Sequence, residues 1–169
     1  MIATDKKSAR KRAAEDTNHL LDLDIIRHRV ERRDNSFARR VVLAALMQNS
    51  EKYADRVLSQ LDEDDFRLPG IELVFRWIKE QLQTQETVDV ADLYHRMREY
   101  VYARYPTDIE SDPDELIWNA QDVLPGYLSV IDHIWAFDEI DEELFDAAMK
   151  TLLYFKTARE KRKRRPEGS

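Results

Sequence analysis

The longest uncharged apolar run in the chain is Val41-Val42-Leu43-Ala44-Ala45-Leu46-Met47, flanked by Arg39-Arg40 and Gln48-Asn49. Apolar residues at 37, 41, 44 and 45, and again at 42 and 46, fit a helix buried on most of its circumference. The run is too short for a membrane span, which needs about 20 apolar residues. The remaining apolar residues fall at helical intervals on one face each, and the central run is the segment they can pack around. Leu20, Leu21, Leu23, Ile25, Ile26 and Val30 mark a short first helix. Asn35-Ser36 is positioned to cap the central helix, and Ser50 to cap a third carrying Tyr53, Ala54, Val57, Leu58 and Leu61. Leu68-Pro69-Gly70 is a turn signal, followed by a helix burying Ile71, Val74, Phe75, Ile78 and Leu82, with Trp77 at its edge. Thr87-Val88-Asp89 opens a fifth helix with Val90, Leu93, Met97, Tyr100 and Val101 inward. Asp112-Pro113 starts a sixth, which Pro125-Gly126 breaks before a seventh with Leu128, Ile131 and Ile134. The last helix runs from about Asp138 into a basic tail, through Leu144, Phe145, Ala148, Met149, Leu152, Leu153 and Phe155.

The expected fold class is therefore all-α: a helical bundle followed by a C-terminal helical hairpin with a long last helix. The expected division is 1–35 as linker, partly disordered or a short helix; 36–124 as bundle; 125–165 as hairpin; and 166–169 as tail. Composition agrees, with 36% charged residues and three glycines in 169. With no cysteine, disulfides and thiolate metal sites are excluded.

Charge changes the picture by its placement. The net charge is −7, yet no Lys or Arg occurs from Thr107 to Met149. Basic residues crowd the ends: Lys6, Lys7, Arg10, Lys11 and Arg12 at the start, and Lys156, Arg159, Lys161, Arg162, Lys163, Arg164 and Arg165 at the finish. The C-terminal cluster suits DNA phosphates, an acidic protein surface, or simple solubilisation of a long helix. Asp62-Glu63-Asp64-Asp65 reads as a solvated loop, since contiguous carboxylates repel and do not converge on one ion. His19, His28, His95 and His133 lack metal-binding spacing. There is no phosphate-binding glycine loop and no G-x-S-x-G. No catalytic residue, cofactor or metal is expected, and the fragment is not expected to be an enzyme.

The order of Val41 to Asn49, an acidic loop, Leu68-Pro69-Gly70-Ile71-Glu72-Leu73-Val74-Phe75-Arg76, and Thr87 to Leu93 resembles the C-terminal helicase-interaction domain of bacterial DNA primase. Leu128 to Asp132 and Glu142 to Arg162 resemble that family's last two helices. The resemblance covers about 36–165. It implies a monomeric, cytoplasmic domain at the replication fork of a bacterium, docking on the hexameric replicative helicase, with direct nucleic-acid binding weak or absent. Leu152, Leu153, Phe155, Arg159 and Arg162 are the implied docking residues. Met1 to Arg33 and the missing primase catalytic and zinc domains depart from that family. Asp64-Asp65-Phe66, Phe75 and Val88-Asp89 also fit the N-terminal collar domain of the replicative helicase, which acts by self-association. A helical nucleic-acid-binding module is a further alternative.

Overall fold

A computed structural model describes residues 5–16, 35–107 and 118–164, and within them the chain is all helical. Seven α-helices are present: α1 (Lys6–Asp16), α2 (Asn35–Gln48), α3 (Ser50–Gln60), α4 (Ile71–Leu82), α5 (Val90–Arg104), α6 (Ala120–Trp135) and α7 (Glu142–Lys163). A 3-10 turn, Glu63–Phe66, joins α3 to the loop before α4. The helix expected around Leu20 to Val30 and the start expected at Asp112-Pro113 lie outside the described residues.

The central apolar run forms α2, where every residue from Val41 to Leu46 is at most 1% exposed. Full burial means partners on all sides, and α3, α4, α6 and α7 each pack on α2, with α7 making the most extensive contact. Leu144, Phe145, Ala148, Met149 and Leu152 of α7 enter the same core as Phe66, Phe75 and Ile78. Trp77 is buried and meets Tyr100 edge-on, rather than sitting at the edge of its helix.

Helix ends were less legible. Asn49, not Ser50, caps α3: its side chain accepts from Lys52 N–H at 3.2 Å. Ser50 is buried and donates to the Glu86 carbonyl at 2.6 Å. Asn35 lies within α2, and its Oδ1 is buried without a hydrogen-bond partner among the described residues, so it is not the cap. The last helix starts at Glu142, because Asp141 accepts from Leu144 N–H at 2.7 Å and fixes the first turn there. The connector before it is clamped by one amide. Gln48 donates to the carbonyls of Phe137 (3.2 Å) and Asp138 (2.9 Å) and accepts from Ile140 N–H (2.7 Å).

Pro125-Gly126 does not break a helix; α6 runs continuously from Ala120 to Trp135. Asn119 caps it through Asp122 N–H at 2.8 Å. Proline removes one backbone bond, to Gln121, and both residues are exposed, so that carbonyl lies on the solvent side. Further along, Ile131 and Ile134 are fully buried and hold the helix in place.

The two glycines on this path have opposite roles. Gly70 precedes α4 at φ +81°, a region that L side chains rarely adopt. A Cβ there would also sit 2.9 Å from Val130 Cγ2, so the turn lets α6 approach closely. Gly126 has nothing within 4 Å of a Cβ position and no positive φ. Gly70→Ala is therefore expected to destabilise by about 2 kcal/mol or more. Gly126→Ala is expected to stabilise by about 0.5–1 kcal/mol, the ordinary Gly-to-Ala gain inside a helix. Urea unfolding of both variants checks the opposite signs.

Candidate interaction surface

Two buried carboxylates organise the faces of the molecule. The first is Asp65, 2% exposed, in the 3-10 turn. The turn closes as a reciprocal cap: Asp62 accepts from Asp64 N–H at 2.9 Å, and Asp65 accepts from Asp62 N–H at 2.8 Å. Asp65 also receives the Arg159 guanidinium and, at 3.4 Å, the Lys156 ammonium. Lys156 reaches Asp62 at 3.2 Å, and Arg39 of α2 donates to the Asp65 carbonyl at 2.9 Å. The acidic stretch is thus not a solvated loop. It is the seat that holds the basic end of α7.

Burial alone would raise the Asp62 carboxyl, but the hydrogen bond and charge of Lys156, the Asp64 N–H and the charge of Arg159 outweigh it and hold it below its ordinary value. For Lys156 burial works the other way, and the two carboxylates overcome it and hold the ammonium above its ordinary value.

The second carboxylate, Asp132 of α6, is 5% exposed. It accepts from Tyr94 OH of α5 at 2.5 Å and from both Nε (2.9 Å) and Nη2 (2.5 Å) of Arg12. Burial first, then Asp132, drives the Tyr94 hydroxyl upward, and Arg12 is likewise raised by its hydrogen bond to Asp132. Arg10 donates to the Ala136 carbonyl at 3.2 Å and pairs with Asp138 at 2.6 Å. These contacts set basic α1 against the carbonyl end of α6, where the helix dipole favours cations.

The implied docking residues of α7 differ in exposure, and most of them turn toward the bundle. Leu152 is buried on the bundle, Leu153 is half-buried against it, and Phe155 is half-buried beside Tyr154 (5.4 Å between rings). Arg159 is committed to Asp65, and Arg162 is exposed. The outer face of the helix carries Leu153, Tyr154, Thr157, Ala158 and Lys161 around a shallow depression.

A second surface was missed in the sequence. Tyr105 and Tyr127 meet hydroxyl to hydroxyl at 3.1 Å, with Tyr100 5.9 Å from Tyr127 between ring centres. The bond to Tyr105, and burial after it, push the Tyr127 hydroxyl up to about 12. With Pro69, Trp118, Val123 and Val130 these two tyrosines line an open groove of about 520 Å³, with Gly126 and Asp122 also on its wall. Trp118 is 65% exposed. The available signal was the spacing of Tyr105, Trp118, Asp122, Gly126 and Tyr127, but the expected helix break at Gly126 hid it.

Among the described residues no group of three or more His, Asp or Glu is placed to hold a metal ion. His95 pairs with Glu99 (3.0 Å), and His133 meets the Ser129 carbonyl (2.6 Å). No described helix is long and apolar enough to cross a membrane.

A family model of the DnaB-like helicase N-terminal domain matches residues 31–104, somewhat less than half of the chain and spanning α2 to α5. No curated protein and no solved structure matches the chain. This match overturns the resemblance to the primase C-terminal domain and, with it, the primase function and the docking on a helicase as a separate partner. The apolar helix, acidic turn and Leu-Pro-Gly turn that suggested primase all lie within the matched segment.

The latch has a defined pH dependence. A carboxyl held below its ordinary value contributes stability above its unfolded value of about 4, and loses it as pH falls through the lower folded value. Asp62→Asn is expected to lower the urea midpoint at neutral pH, and the gap to the natural sequence should narrow as the pH falls through and below the ordinary carboxylate range. A gap that stays constant with pH would contradict the assignment.

Proposed function

We propose that this chain is a non-catalytic helical interaction domain of the kind found at the N-terminus of DnaB-like helicases, acting through self-association as a collar does. The match over residues 31–104 carries this reading. The surface chemistry supports it. Most apolar side chains are committed to the core, yet Tyr102, Trp118 and Tyr154 are large and exposed. Aromatic residues on a surface of otherwise charged groups are what protein interfaces enrich. Catalysis has no support in the arrangement of polar groups, since both buried carboxylates are occupied by structural partners.

Binding to nucleic acid through the basic ends is less well supported. Arg12, Lys156 and Arg159 are neutralised within the fold.

Sedimentation velocity of the full chain over a concentration series tests the proposal. Oligomers that grow with concentration are expected. A monomer at every concentration would contradict it.

A further inference from the structure

The geometry points to a head-to-tail contact in which the outer face of α7 from one copy seats in the aromatic groove of α6 on the next. This rests on the self-association proposed above and specifies its two surfaces and its symmetry.

The groove side is argued from Gly126. A glycine inside a helix carries a conformational cost, and it usually marks a positive φ or a close approach of other backbone. Among the described residues Gly126 has neither: no positive φ, and no atom within 4 Å of a Cβ position. Its open side is on the groove with Trp118 and Tyr127. A partner helix laid there can bring its backbone close to α6 while the rings close over it. Exposed tryptophans in such settings are the side chains that dominate interface energy.

The occupant is argued from charge. The groove is on α6, inside the stretch from Thr107 to Met149 that has no Lys or Arg, and Asp122 is on its wall. Of the arginines adjoining the lining residues in sequence, Arg67 pairs with Asp64 at 2.9 Å, and Arg104 lies over the Tyr100 ring at 5.1 Å, where its charge also acts on Tyr127. The fitting partner is therefore a basic helix with small residues on its contact face. The chain has one. Beyond the latch, α7 exposes Lys161, Arg162, Lys163 and Arg164, and its outer face places Thr157 and Ala158 next to Leu153. Thr157 and Ala158 are small enough to lie over Gly126, and Lys161 on the same face carries the charge opposite to that of Asp122.

The two surfaces are on different helices, so the contact is heterologous. Each copy then offers one groove and one helix face, and repetition gives a closed ring or an open filament. An isologous dimer would instead pair one surface with itself.

That difference supplies the test, made on the full chain by sedimentation velocity. Gly126→Arg fills the groove, and Trp118→Ala is a second groove variant that needs no added volume. Thr157→Glu combined with Lys161→Glu reverses the helix face on exposed positions. Far-UV circular dichroism verifies that each variant folds. Each variant alone is expected to weaken association at least tenfold in dissociation constant, about the loss of one good contact. A mixture of a groove variant with the helix-face variant should form a complex that stops at two chains, because one intact groove and one intact helix face remain. Variants that associate like the natural chain, or a mixture that stays monomeric, would overturn the head-to-tail geometry while self-association of the natural chain leaves the collar-like reading standing. A natural chain that stays monomeric throughout would overturn both.

Discussion

Asp65 is a carboxylate at 2% exposure inside a run of four acidic residues, and the arrangement of the C-terminal half follows from neutralising it. A buried unpaired charge is too costly to persist. The Asp62 N–H supplies one partner, and the reciprocal cap of the 3-10 turn fixes the carboxylate in place. Arg159 and Lys156 supply the positive charge, from 94 and 91 residues away. Reaching Asp65 takes α7 along α2 for about four to five turns past its cap. The apolar stripe of Leu144, Phe145, Ala148, Met149 and Leu152 then faces α2 and provides the larger share of the attraction. The ion pairs set the register and the direction in which the helix end points.

Asp132 repeats the device at the other end of the chain. It is buried on α6, takes Tyr94 from α5, and draws Arg12 of α1 into a two-pronged pair. Both basic ends of the sequence are thus used first to neutralise internal carboxylates, and only the cations left over face solvent. Among the described residues two depressions remain open, one on the outer side of α7 and the groove beside Tyr127. They differ in charge in the sense that would bring copies of the chain together.

What the sequence revealed depended on range. The burial of α2 was legible, because seven consecutive apolar residues between polar flanks leave no polar face. Most inward positions of α4 and α5 followed from spacing, but the buried Trp77 and Tyr94 did not. Errors came where a distant partner decides the outcome. Asp62 to Asp65 looks like a solvated loop until Lys156 and Arg159 are placed beside it. Arg10 and Arg12 show no buried-face pattern, because what they need is the Ala136 carbonyl, Asp138 and Asp132. Pro125-Gly126 is a strong local break signal, overridden by Ile131 and Ile134 in the core. The family resemblance failed for a related reason. The short motifs that suggested primase are made of common residues, and their order fits the DnaB-like helicase N-terminal domain, whose model spans 31–104.

The claim that a buried carboxylate places α7 is tested most directly by a double-mutant cycle. Asp65→Ala, Arg159→Ala and the double variant are compared by urea unfolding at neutral pH. If the pair is the latch described, the two effects are non-additive, with a coupling energy of about 1–3 kcal/mol. Additive losses, within about 0.3–0.5 kcal/mol, would mean that Asp65 and Arg159 act independently and that apolar packing alone positions the helix.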